Sequence, residues 1–119
     1  MRAGTFIAAV GADNPHKQEI DPALMASAKI VADSLDQCCT IGDTHHALAA
    51  RLLRKENVYA ELAEIVAGHK IGRATDDEII IFDSTGIALE DAVVALVVYE
   101  KARHLENGAR FDFAEETLL

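Results

Sequence analysis

Two places in the sequence set reactive groups beside groups able to orient them. The first is Asp13 with Lys17 four residues on, in the stretch Val10-Gly11-Ala12-Asp13-Asn14-Pro15-His16-Lys17. A carboxylate can take up or release a proton, and a nearby ammonium favours its charged form. The second is Asp83-Ser84-Thr85-Gly86, an acid followed by two hydroxyls and a glycine. There the hydroxyls and the free N–H groups of a helix start could hold an anionic or polar ligand group. Solvated charges at a strand exit account equally well for the first stretch, and simple N-capping for the second.

Each group lies where a strand should end. Phe6 to Val10 is a short uncharged apolar run between Gly4 and Gly11, the pattern of a strand covered on both faces. In a parallel sheet, Asp13 and Lys17 then sit past the carboxyl end of a buried strand, where open α/β sheets bind ligands. Asp21-Pro22 is an N-cap followed by proline at the first helical position, and Ile20 with Met25 is spaced as a hydrophobic staple. A helix over 22–28 comes next, then a strand over 29–33. Ser34 with Gln37 matches a capping box, predicting a helix interrupted at Gly42 and continued to about Leu53. Val58, Leu62, Ile65 and Val66 fall at helical spacing, so a further helix is expected over 58–66, closed by Gly68. A loop spans 68–77; the Thr75-x-x-Glu78 capping match within it is read as accidental, because β-branched residues come after it. Residues 78–82 form the clearest strand. The helix from Ile87 to about Leu105 is apolar nearly all round its middle turns, so it should be covered by more than one sheet face. Phe111 and Phe113 flank Asp112 as a possible terminal edge strand.

Composition narrows the classes. The chain has 119 residues, half of them hydrophobic, and a formal net charge of −9, enough for one packed domain. Its eleven basic residues are scattered and form no basic patch, which argues against nucleic acid. No apolar stretch reaches the length of a membrane span, no signal peptide is evident, and the compartment expected is the cytoplasm. Cys38 and Cys39 are adjacent, read as small buried hydrophobes rather than as a disulfide. His45 and His46 point about a hundred degrees apart on a helix and cannot share a metal as an i, i+4 pair does, so no metal site is expected. A Gly-x-Gly-x-x-Gly turn, a phosphate-binding loop and a nucleophile elbow are all missing.

The residues also carry a resemblance. Val10-Gly11-Ala12-Asp13, then Pro15 and Lys17-Gln18-Glu19-Ile20-Asp21-Pro22, resembles the segment after a late Rossmann strand in the ornithine cyclodeaminase/mu-crystallin family. Gly72-Arg73-x-x-Asp76-Asp77-Glu78-Ile79, continuing through Phe82-Asp83-Ser84-Thr85-Gly86 and Asp91, is similar to the family's downstream signature, and 60–68 fits between them. The match runs from about Gly4 to Ala102. His16, Ile71 and Ala63 depart from the pattern, standing where the family often has glycine, proline and glycine.

The resemblance implies the C-terminal part of a Rossmann-like parallel sheet with flanking helices. Residues 1–86 would be a partial NAD(P)-binding domain lacking its N-terminal half, and 87–119 a long helix and tail leading back to a substrate and dimerisation domain. It implies NAD or NADP as cofactor, a small amino acid or cyclic imine as substrate, and a homo-oligomer. Carried over by motif, Asp13 would be the catalytic acid/base. Val10, Gly11 and Lys17 would line the cofactor side, and Ser84, Thr85 and Gly86 would approach the nicotinamide and substrate. The alternative is a non-catalytic truncated α/β module that self-associates or complements a missing N-terminal partner.

Overall fold

The computed structural model describes residues 1–105, 108, 109 and 111. They divide into two compact units, Met1–Ile87 and Ala88–Leu119. The first contains β1 (Phe6–Ala9), α1 (Pro22–Ser27), β2 (Lys29–Ala32), α2 (Leu35–Ile41), α3 (Asp43–Ala49), β3 (Ala60–Glu61), α4 (Leu62–Val66) and β4 (Ile80–Asp83). The second contains α5 (Ala88–His104).

The four strands form one parallel sheet in the order β1-β4-β2-β3. The last strand is inserted between the first two. Ala9, Asp83 and Ala32 stand in register across β1, β4 and β2, so these strands end together. Ser84 N–H donates to Ala9 O at 2.9 Å and Asp33 N–H to Asp83 O at 3.0 Å, which extends the alignment one residue past the ladder. Side chains alternate across a pleated sheet. The row Ile7, Ile81, Ile30 therefore faces one side, where it packs with Met25 of α1 and Ala47 of α3 around the buried core. Asp21 caps α1 as expected, its Oδ1 accepting from Ala23 N at 2.8 Å and Leu24 N at 3.2 Å. Ile20 packs against the cluster that holds Met25, on the side a staple requires.

The opposite face carries Phe6, Ile80, Phe82 and Val31, which with Leu62 and Ile65 of α4 line an open apolar groove of about 410 Å³. This corrects the reading of the first strand as covered on both faces. β1 is an edge strand, and Phe6 is 59 % exposed.

Other expectations also give way. The helix expected over 58–66 is replaced by a 3-10 turn at Lys55–Asn57, the short strand β3, and α4 from Leu62 only. The reason is the free edge of β2. Tyr59 N–H donates to Ile30 O at 2.9 Å, and Ala60 and Glu61 pair with Val31 and Ala32, so backbone groups that would have closed helical turns join the sheet instead. The Ser34 capping box does not form. Ser34 makes no side-chain cap, and the Leu35 N–H goes to the Glu61 carboxylate at 2.7 Å. The continuation expected to about Leu53 stops at Ala49, with Arg51 in a left-handed conformation at φ 57°. The clearest strand is displaced by up to two residues, to Ile80–Asp83. The strand expected at Phe111 to Phe113 falls on 112 and 113, outside the described residues.

Candidate functional site

The carboxyl ends of β1, β2 and β4 bring the two candidate stretches to neighbouring strands. β1 leads into Val10, Gly11 and the Asp13 loop; β4, hydrogen-bonded beside it, leads into Ser84, Thr85 and Gly86. Val10 is exposed beyond the last paired residue, and Gly11 is close to a neighbour by necessity. Its N–H donates to Glu19 Oε2 at 2.8 Å, and a side chain at this position would run into that carboxylate.

Asp13 and Lys17 form an exposed ion pair at 2.7 Å. The Lys17 ammonium, through its hydrogen bond and its charge, holds the Asp13 carboxyl below the ordinary carboxylate range. Asp13 is thus an anion near neutral pH. The loop between them is shaped locally. His16 N–H donates to Asn14 Oδ1 at 3.0 Å and Lys17 N–H to Asn14 O at 3.1 Å.

The turn at 84–86 is organised by an aspartate that the sequence marks only as a strand exit. Asp33, one residue past β2, accepts from Ser84 Oγ at 2.9 Å, Thr85 N at 2.8 Å and Gly86 N at 2.9 Å with its Oδ2. Its Oδ1 accepts from Ser34 N at 2.6 Å and Cys38 Sγ at 3.2 Å. The N–H groups of Thr85 and Gly86, read from sequence as open to a ligand anion, are therefore already occupied, and α5 begins only at Ala88. Thr85 Oγ1 donates to Gln37 Oε1 at 2.9 Å.

Asp83 is an interior group rather than part of an open site. It is fully buried, and Oδ2 accepts from Thr44 N at 2.8 Å and Thr44 Oγ1 at 2.6 Å, while Oδ1 accepts from Asp43 N at 3.2 Å. Burial pushes its carboxyl up; the Thr44 and Asp43 donors oppose this, and the nearby Asp43 charge adds to it. Cys38 is closed off as well. Burial and then the Asp83 charge push its thiol far above the usual range, so it is no nucleophile. No signal short of the topology marks Asp33 and Asp83 as a linked system, although an acid directly after a buried strand is a cue that can be sought. Among the described residues, no group of three or more His, Cys, Asp or Glu side chains is placed to hold a metal ion.

Comparison with known proteins finds similar chains. The model of the ornithine cyclodeaminase/mu-crystallin family matches residues 1–106. The alanine dehydrogenase of Archaeoglobus fulgidus is 46 % identical over 113 residues, covering 95 % of this chain and 35 % of that protein. Among solved structures, an archaeal alanine dehydrogenase dimer with bound NAD superposes with a TM-score of 0.85 at 45 % identity, over 94 % of this chain and 35 % of that one. The Thermococcus litoralis Delta(1)-pyrroline-2-carboxylate reductase, in complex with NADH and L-proline, gives 0.87 at 36 % identity, over 93 % and 35 %. The chain spans about a third of the length of the curated relatives it matches. It belongs to the ornithine cyclodeaminase/mu-crystallin family.

Proposed function

We propose that the chain is the C-terminal portion of an NAD(P)-dependent enzyme that interconverts a small amino acid and its imine, by dehydrogenation, imine reduction or cyclodeamination. The observation that carries this reading is the meeting of the Asp13 loop and the Ser84-Thr85-Gly86 turn at aligned strand ends. The names of the relatives, which include dehydrogenases, reductases and cyclodeaminases, support it. The residues present fit one end of a dinucleotide. A flat ring set against these strand ends would meet the exposed Val10, with Thr85 and the backbone at 84–86 on the neighbouring strand's exit; the space beside Gly11 itself is taken by the Glu19 carboxylate. The described residues include no glycine-rich helix start to cradle a pyrophosphate, so that part of the binding is assigned to chain outside this sequence.

When bound, the cofactor supplies or accepts the hydride. Asp13, kept as a carboxylate by Lys17, takes a proton in one direction and returns it in the other. Val10, Gly11 and Lys17 form the cofactor side, and Ser84, Thr85 and Gly86 bound the space for nicotinamide and substrate. The working form would be a cytoplasmic homodimer or larger oligomer, in keeping with the dimer named among its structural relatives. The second reading, a non-catalytic module that self-associates or complements a missing N-terminal partner, is favoured by the many exposed apolar residues of α5.

The test joins this chain to the N-terminal two thirds of the archaeal alanine dehydrogenase and measures turnover with alanine and with cyclic imines. Asp13→Asn should leave folding and NAD(P) binding intact and lower turnover by the ~10²–10⁴ of acid–base catalysis. An active chimera whose turnover ignores Asp13→Asn removes Asp13 from the mechanism. A folded dimer with no turnover on any substrate favours the second reading.

A further inference from the structure

The polar groups of α3 go in a direction the sequence does not suggest. Asp43 is fully buried, yet its carboxylate does not serve its own helix. Its Oδ1 accepts from Glu19 N at 2.8 Å and Ile20 N at 2.9 Å, and its Oδ2 has no partner among the described residues. One turn on, His46 Nε2 lies 2.7 Å from Lys17 O. A carbonyl only accepts, so Nε2 carries the proton in this contact. Residues three apart on a helix share a face, and this face grips the Asp13 loop at 17 and at 19–20.

The helix is itself pinned. The Asp43 and Thr44 N–H groups and the Thr44 hydroxyl all donate to Asp83 at the end of β4. A continuous set of hydrogen bonds thus runs from β4 through α3 to the backbone at Lys17, whose ammonium reaches Asp13. Gly11 N–H, held by the Glu19 carboxylate, closes the loop across its base. Among the described residues, the other hydrogen bond to the Lys17 backbone is local, its N–H donating to Asn14 O at 3.1 Å.

We propose that α3 is the positioning element of the Asp13 loop, and that Asp43 and His46 are positioning residues acting on Asp13 through the backbone at 17–20. This deepens the reading of Asp13 as the acid/base and rests on it. His46 keeps Lys17 where its ammonium meets the Asp13 carboxylate, and Asp43 keeps the returning strand of the loop against the domain. Lys17 is the charged partner of Asp13, and Asn14 the adjacent polar one.

The test uses the 119-residue chain with no substrate or cofactor, so its outcome is independent of whether Asp13 is catalytic. Carboxyl-detected NMR follows the titration of Asp13, and amide exchange is read at Lys17, Glu19 and Ile20. His46→Ala should move the Asp13 midpoint up towards the ordinary carboxylate value. It should also speed exchange at Lys17, whose N–H donates to Asn14 O in the turn that the His46 contact holds, by about tenfold or less, with the core amides of Ile30 and Ile81 unchanged. His46→Gln, which offers an N–H at similar reach, should restore both. Asp43→Asn keeps the accepting oxygen and should leave Glu19 and Ile20 protected, whereas Asp43→Ala should not. A folded His46→Ala chain with an unchanged Asp13 titration overturns the proposal, as does failure of His46→Gln to rescue. Global unfolding of His46→Ala would make His46 structural and overturn it too. A positive result here with turnover indifferent to Asp13→Asn would leave the positioning intact and discard the catalytic reading.

Discussion

Asp33 accepts from five donors with two oxygens, Ser34 N–H and Cys38 Sγ on one and Ser84 Oγ, Thr85 N–H and Gly86 N–H on the other. Burial alone would push its carboxyl up; the donors outweigh it and hold the group below the ordinary carboxylate range. An amide cannot replace it, because either orientation turns an NH₂ group towards N–H or O–H donors. Asp33→Asn should therefore lose about 1–3 kcal/mol of stability at pH 7, through donors left unsatisfied. The sign with pH follows from a depressed acid. Its contribution is present above the unfolded carboxylate pKa, about 3.9, and is lost as pH falls through the lower folded value. Urea midpoints of wild type and variant should differ most at neutral pH and converge in strong acid. Equal midpoints at pH 7 would show that Asp33 does not hold the turn. Asp83 works in the opposite sense, its raised carboxyl favouring the fold as pH falls and ceasing to do so as pH rises.

At the scale of elements, the junction between α2 and α3 has no room to spare. Gly42 has φ −86° and ψ −177°, a conformation open to any residue, so conformational freedom is not the reason for glycine here. Space is. A Cβ would sit 2.8 and 2.9 Å from the two Asp83 oxygens and 2.9 Å from the Cα of Cys38. Gly42→Ala should cost about 1–3 kcal/mol by overpacking. It should also loosen Thr44 from Asp83, visible as faster amide exchange at Thr44 than at Ile30. Wild-type stability and exchange would mean that the α2–α3 junction yields without strain. Competition between elements, rather than crowding, is why helical periodicity failed at 58–61. There the free edge of β2 won over helical hydrogen bonding, because a sheet edge offers partners to backbone groups already held close to it.

For the whole molecule, α5 poses the largest unmet demand. Its middle turns, 92–99, are apolar on every side, and none of its residues is buried; Leu89, Leu96 and Val98 are 69, 59 and 59 % exposed. Each such side chain forgoes roughly 1.5–3 kcal/mol relative to full burial, and a contiguous patch of this kind marks an interaction surface. The chain should therefore associate through α5 at micromolar concentration, and Leu96→Glu should weaken that association at least tenfold, both read by sedimentation velocity. A compact wild-type monomer, or a variant that associates unchanged, would contradict this. Among the described residues no helix is long and apolar enough to cross a membrane.

Local pattern was enough for Asp21 and Pro22 at the start of α1, and the motif residues for the family and, through it, the parallel α/β class, since caps and motif residues are written contiguously in the chain. The placement of Asp13 and of 84–86 at strand ends was legible in the same way, because a strand exit is a change of composition. Tertiary structure alone decided which carboxylates organise those ends. Asp33 looks in sequence only like a strand exit, and nothing beside Asp43 or His46 in the chain points to Glu19, Ile20 or Lys17. The partners that give them their roles lie 23 to 53 residues away, reached only after the strands align. A hydrogen bond across such a separation leaves no periodicity to read, and its geometry exists only once the intervening chain has folded.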